Sequence, residues 1–265
     1  MHKLARQVRF SINPFLTDSV DGFNSYASKP CGEGLSIYFG FWVELVSELD
    51  GKTGFVVNVV DIDRAVRRYV VPIFHEVLCS HFDKGKSVSL SGLTDITRRS
   101  WGRIRDKFGL ARLSRVSVDL NPFRKISIES EDSDLVCFSE KFDFAATHTL
   151  WNDEFSEERN LEVFGKCANP AGHGHNYVVE VTVELSTGED EFCIGSFEQI
   201  VTNELIKVVD HKNLNVDVPA FAEKNPTVEN ISAFAWGKLS DKFQFAQLKC
   251  VTVWESDRTY SSYFG

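Results

Sequence analysis

Apolar residues at Tyr177, Val179, Val181 and Val183 alternate with polar or smaller positions, a period of two that predicts a half-buried strand. Its hairpin partner is expected from about Cys137 to His148. Phe197, Val201, Leu205 and Val208 then recur at spacings of four, four and three behind Ser196. That pattern predicts an amphipathic helix with Ser196 as its N-cap. A second helix is expected after Pro226-Thr227 and carries Trp236. Earlier in the chain, Ile62, Val66, Val70, Ile73 and Val77 form a helical stripe that Pro72 is expected to kink or break. A further helix, after Thr94, carries Trp101.

These elements recur. Trp101-Gly102-Arg103-Ile104-Arg105-Asp106-Lys107-Phe108 is echoed 135 positions later by Trp236-Gly237-Lys238-Leu239-Ser240-Asp241-Lys242-Phe243. Leu113 then falls on Leu248, and Val116-Ser117-Val118 on Val251-Thr252-Val253. Phe10 and Leu16 fall on Phe144 and Leu150, and Trp42-Val43-Glu44-Leu45 on Thr182-Val183-Glu184-Leu185, with the small changes of offset that loop insertions produce. The expected fold class is therefore α+β. It consists of two tandem modules, residues 1–130 and 137–265, joined near the polar stretch from Glu129 to Asp134. Each is expected to be a four-stranded antiparallel sheet with two helices on one face.

Composition narrows the function. The 265 residues include 43% hydrophobic side chains, enough for a sizeable core. No run approaches the twenty apolar residues of a membrane span, and the start MHKLARQVRF lacks the apolar core of a signal peptide, so a cytoplasmic protein is expected. Six dispersed cysteines without a CxxC pair fit a reducing compartment. A formal charge of −9 argues against nucleic-acid binding.

The chemistry concentrates between Phe164 and Tyr177, where a loop rich in Gly, Asn and Pro runs into a strand. In an extended chain residues i and i+2 share a face roughly 6.5 Å apart, so His173 and His175 can converge on one ion. His148, at the end of the preceding strand, can sit beside them. Three histidines leave one coordination position open, the pattern of catalytic zinc, although spacing alone also fits three unrelated histidines. Cys167 lies close enough in the chain to fold back to this site, where a nearby cation would favour the thiolate. As a bare cysteine it reads more often as a small buried hydrophobe. Asp210-His211 follows a helix end, and Glu255 ends a strand where a carboxylate can accept two parallel hydrogen bonds from a planar amidine-like edge. Each of these also has a plain structural reading as a cap or a strand end.

In this order, the strand ending in His148, Phe164-Gly165-Lys166-Cys167, His173-Gly174-His175-Asn176-Tyr177, Asp210-His211, Pro226-Thr227-Val228-Glu229-Asn230 and Glu255 resemble the 6-pyruvoyltetrahydropterin synthases and their relatives. The resemblance runs from Phe138 to about Tyr263 and implies the tunnelling fold of four antiparallel strands and two helices. It implies His148, His173 and His175 as zinc ligands, Cys167 as the proton-abstracting residue and Asp210 with His211 as its acid/base partners. Glu255, with Thr227 and Glu229, is implied to bind the pterin. The implied reaction converts 7,8-dihydroneopterin triphosphate to 6-pyruvoyltetrahydropterin with loss of triphosphate, without a nicotinamide. The alternatives are 6-carboxytetrahydropterin synthase of the queuosine pathway, whose relatives typically have a shorter gap between the cysteine and the histidine pair, and a non-catalytic pterin-binding protein.

The first half departs from the pattern. Pro14 stands where His148 is, Glu33-Gly34-Leu35 where His173-Gly174-His175 is, and Leu120 where Glu255 is, while Cys31 aligns with Ala171. A structural role is expected for it. Sites of the resembled family lie at module interfaces, so a homo-oligomer is expected. A trimer is preferred, with a ring of three catalytic modules stacked on a ring of three inactive ones.

Overall fold

The computed structural model describes residues 1–14, 36–129, 135–185 and 192–265. They fall into two units, Met1–Phe138 and Ser139–Gly265.

In the first unit β1 (His2–Ile12) pairs antiparallel with β2 (Ile37–Ser47), from His2 opposite Ser47 to Ile12 opposite Ile37. Three helices follow, α1 (Val59–Tyr69), α2 (Val71–Asp83) and α3 (Leu90–Ile104), then β3 (Arg112–Asp119) and β4 (Arg124–Glu129) in the sheet order β1-β2-β3-β4. Val8, Phe10 and Ile12 alternate on the buried side of β1, and Phe41, Val43 and Leu45 on that of β2. Phe74 of α2 is fully buried in an aromatic cluster, its ring centroid 5.1 Å from that of Phe10 and 4.9 Å from that of Phe39. The stripe around Pro72 does break: α1 ends at Tyr69 and Pro72 sits in the first turn of α2, where its missing N–H costs nothing. The helix expected after Thr94 instead starts at Leu90, because Ser89 accepts the Gly92 N–H as its N-cap. Of the stretch expected to join the modules, Glu129 ends β4 and residues 130–134 lie outside the described residues.

The second unit contains β5 (Val136–His148) from Ser139 onward, α4 (Glu157–Phe164), a 3-10 turn (Gly165–Ala168) and β6 (His173–Leu185). Next come α5 (Ile194–Val201), a π-turn (Thr202–Ile206), α6 (Lys207–Val209), the short β7 (Lys212–Asn213) and α7 (Leu214–Asp217). A second 3-10 turn (Pro219–Phe221), α8 (Val228–Leu239), β8 (Ala246–Ser256) and β9 (Thr259–Tyr263) complete it. The sheet order is β5-β6-β8-β9, antiparallel from β6 to β9, and β7 adds to β5 in parallel. Tyr177, Val179, Val181, Val183 and Leu185 are fully buried, as period two demands.

Two local expectations fail. Ser196 is not the N-cap of α5, which begins at Ile194 behind Cys193. The buried stripe runs Phe197, Val201, Leu205 and Val209 rather than ending on Val208. The π-turn explains the shift, since its wider i→i+5 winding retards the phase and moves the inward position one residue on. Helix α4 was not anticipated; Ser156 caps it by accepting the Arg159 N–H. No helix among the described residues is long and apolar enough to cross a membrane.

Candidate metal centre

Three strands of the second unit aim side chains at one point. On β5 the alternation buries Phe144, Ala146 and His148, and on β6 it turns His173, His175 and Tyr177 the same way. Glu255 approaches from the end of β8. The donor atoms of His148, His173, His175 and Glu255 all lie within 4.8 Å of one another.

The protonation pattern suits a cation. His148 is almost fully buried, and its Nδ1–H donates to the Pro226 carbonyl at 2.8 Å, so its Nε2 carries a lone pair. That lone pair faces His173 Nε2 at 3.1 Å. Two nitrogens each about 2.0–2.1 Å from one tetrahedral ion stand about 3.3 Å apart, so the spacing is that of two ligands. Among the described residues, the buried His173 Nδ1 and His175 Nε2 have no hydrogen-bond partner. His175 Nε2 nevertheless lies 2.8 Å from Glu255 Oε1, close but without hydrogen-bond alignment, and Glu255 Oε1 is 3.9 Å from His148 Nε2. A buried polar atom left unpaired is costly, and one divalent ion in this cluster removes that cost at His175 Nε2. Burial lowers the pKa of His148 and of His175, keeping both imidazoles neutral as ligation requires.

Surrounding residues hold the frame. Asn215 clamps the residue after His148, its Oδ1 accepting the Thr149 N–H at 2.8 Å and its Nδ2 donating to the Thr149 carbonyl at 3.0 Å. Asn225 accepts the Trp151 N–H at 2.8 Å, and Asn230 in turn donates to the Asn225 carbonyl. Gly172 has φ +71°, and a Cβ there would stand 3.2 Å from the His148 carbonyl oxygen. Only glycine both adopts that backbone and lets the approach to His173 pass so close to His148. Sequence reading missed Pro226 as the acceptor for His148, and missed Asn215 and Asn225 altogether. The one available signal was the clustering of asparagines in loops, which ordinarily marks turns.

Cys167 sits on the 3-10 turn, whose position is fixed by its carbonyl accepting the Leu150 N–H at 2.9 Å. Without a cation in the cluster, burial, and next the Glu255 carboxylate, push its thiol pKa up. The same neighbourhood raises the Tyr177 hydroxyl, through burial first, then Glu255 and Cys167. Asp210 and His211 form a pair, with Asp210 Oδ1 2.9 Å from His211 Nδ1. Both are tied to β5 at Ala145, whose N–H donates to Asp210 Oδ1 at 2.9 Å and whose carbonyl accepts the His211 N–H at 2.6 Å. His211 adopts φ 57°, rare for a residue with a side chain, and its ring is exposed. Among the described residues no hydrogen bond or ion pair joins Cys167 to Asp210 or His211 within the chain. Thr227 caps α8 by accepting the Asn230 N–H, and Glu229 is exposed in the first turn of that helix.

Fold and cluster together define a sheet-borne site of three histidines and a carboxylate able to hold one divalent cation. Residues 137–265 match the family model described as 6-pyruvoyl tetrahydropterin synthase. The human 6-pyruvoyl tetrahydrobiopterin synthase is 38% identical over 133 residues, covering 48% of this chain and 90% of that protein. The structure of 6-pyruvoyl tetrahydropterin synthase from Caenorhabditis elegans is 29% identical with a TM-score of 0.46, over 49% of this chain and 96% of that one. A 6-carboxy-5,6,7,8-tetrahydropterin synthase from Aquifex aeolicus is 29% identical over 36% of this chain and 62% of its own length. The chain belongs to the 6-pyruvoyl tetrahydropterin synthase family through its second unit, and is a lyase of that type.

Proposed function

We propose that the protein converts 7,8-dihydroneopterin triphosphate to 6-pyruvoyltetrahydropterin with loss of triphosphate, using zinc held by His148, His173 and His175. One observation carries the metal assignment: the buried His175 Nε2, without a hydrogen-bond partner, belongs to the same donor cluster as the His148 Nε2 lone pair that Pro226 fixes. Zinc there supplies Lewis acidity, polarising side-chain oxygens of the substrate and acidifying the adjacent C–H. Identity to the human synthase across nearly its whole length supports the pyruvoyl product over the carboxy product.

Cys167 serves as the base that takes the substrate proton. Its thiol is held protonated by burial and Glu255 until positive charge enters the cluster, which couples base activation to metal loading. His211, oriented by Asp210, relays protons. Glu255 holds the substrate at the cluster rather than away from it, given its 2.8 Å approach to His175. Thr227 and Glu229 border the pterin, beside the Pro226 carbonyl that fixes His148.

The absence of a bond between Cys167 and Asp210–His211 within one chain supports a homo-oligomer in which one copy's thiol meets the pair from another, and three chains is the preferred number. The first unit is proposed as a non-catalytic copy of the module. Among the described residues each unit has two strands, then helices, then two strands, the second adding α4 between β5 and β6 and β7 among the helices, and Pro14 and Leu120 occupy the positions of His148 and Glu255. Zinc-loaded protein should release triphosphate from the substrate, and Cys167→Ala should stop that release while keeping its zinc. Undiminished release by Cys167→Ala would remove the thiol from the mechanism. Light scattering reporting a dimer or tetramer would contradict the trimer.

A further inference from the structure

A cleft of about 620 Å³ opens in the first unit between the loop before α1, α1 itself and the turn after α3. That volume suits a small-molecule ligand. Arg64, Arg68 and Lys107 line it, together with Tyr69. Its two carboxylates are already engaged: Asp61 pairs with Arg64 at 2.8 Å, and Asp50 accepts the N–H groups of Lys52 and Thr53 and the Thr53 hydroxyl. Arg68 and Lys107 lie instead against the ring of Tyr69, at 5.4 and 5.2 Å from its centroid. Among the described residues neither has a carboxylate partner.

The second unit has a cleft in the corresponding place, and its differences are informative. It is lined in part by Phe192, Ile200 and Lys242, and its volume is about 210 Å³. The repeat offset of 135 positions puts Val57 on Phe192, Ala65 on Ile200 and Lys107 on Lys242. Larger apolar side chains thus fill in the second unit what stays open in the first. Charge differs in the same direction. Lys242 pairs with Glu204 at 3.5 Å, whereas the position of Glu204 is taken by Tyr69 in the first unit. Gln199 and Asn203 are replaced by Arg64 and Arg68. The first unit has lost that acidic partner and kept the lysine, and of its two added arginines Arg64 is offset by Asp61, which stands where the second unit has Ser196, leaving Arg68 as the added free charge.

We propose that this cleft binds a small multivalent anion of the phosphate class, a polyphosphate or a phosphate ester, seated between Arg68 and Lys107 with the engaged Arg64 at its rim. Arg68 and Lys107 each contact the Tyr69 ring without a carboxylate partner, and an anion in the cleft would give them charge-assisted hydrogen bonds. The inference rests on the correspondence between the two units and not on the reaction proposed for the second.

Calorimetric titration of the full chain with inorganic pyrophosphate and with triphosphate tests it. Saturable binding of one anion per chain is expected, weakening as salt is raised. Affinity should fall at least tenfold in the double variant Arg68→Ala/Lys107→Ala and in Tyr69→Glu, which restores the acidic partner of the second unit, with both variants shown to be folded by circular dichroism. His173→Ala should leave the binding in place. No saturable binding would overturn the proposal. So would binding that survives both cleft variants, or binding lost in His173→Ala, which would put the anion at the histidine cluster.

Discussion

His148 Nδ1 lies 2.8 Å from the carbonyl oxygen of Pro226, a bond that fixes the tautomer of the most buried histidine in the cluster. The bond ties the end of β5 to the loop that starts α8, so the N-terminus of that helix and the metal-facing nitrogen are positioned together. Replacing His148 by Ala removes a donor from a closed set. Elemental analysis after dialysis should find about one zinc per parent chain and less than half that in His148→Ala. Equal content would take His148 out of the site.

Glu255 and Glu229 separate by what each touches. Glu255 is 2.8 Å from His175 Nε2, while Glu229 is exposed on α8. Glu255→Gln should weaken zinc retention about 10–100-fold, the usual effect of altering a metal site's close partners, as well as lowering turnover. Glu229→Gln should raise KM and leave zinc untouched. Competition with a chromogenic chelator, alongside steady-state kinetics, reads both. An unchanged zinc affinity in Glu255→Gln would return Glu255 to a purely pterin-binding role.

Alkylation resolves the state of Cys167. Without metal its thiol is held above the ordinary range by burial and Glu255, so it should react with iodoacetamide only at distinctly alkaline pH. Zinc should move that profile down. Peptide-resolved mass spectrometry is needed because the exposed Cys193, with its pKa lowered by the Ser196 N–H, by the Ser196 side chain and by the Gly195 N–H, reacts first. A Cys167 profile indifferent to zinc would contradict the coupling of base and metal.

Asp210 gives a pH signature. The Ala145 N–H, and next His211, hold its carboxyl below the usual carboxylate range despite some desolvation. A folded pKa below the unfolded value of about 3.9 means the stabilisation is fully present above that value and is lost as pH falls through the folded one. The difference in Tm between parent and Asp210→Asn should therefore be constant above about pH 5 and close in stronger acid. Turnover should drop about 10²–10⁴-fold, the range for a lost acid/base group, with zinc unchanged. A Tm gap that persists in strong acid would locate the effect elsewhere than in the charge.

The strands that carry the cluster were legible because burial on one face enforces period two, which by spacing alone puts His173, His175 and Tyr177 on a common side. Joining His148 to them needed only the hairpin. What escaped was carried by backbone or by winding. A carbonyl such as that of Pro226 has no residue signature, and the π-turn at Thr202–Ile206 shifted the buried position to Val209 without altering the apolar composition. Asn215 and Asn225 looked like ordinary loop residues, since their role depends on chain segments more than sixty positions away. The sequence spacing places Cys167 near the histidines but carries no sign of the Glu255 carboxylate, which without a cation raises the thiol pKa.

Identifying the pterin side chain after incubation of zinc-loaded protein with 7,8-dihydroneopterin triphosphate reads the reaction itself. A pyruvoyl side chain at C6 and one equivalent of triphosphate are expected, both lost in His173→Ala. A carboxy product, or unchanged substrate with zinc fully bound, would contradict that reaction.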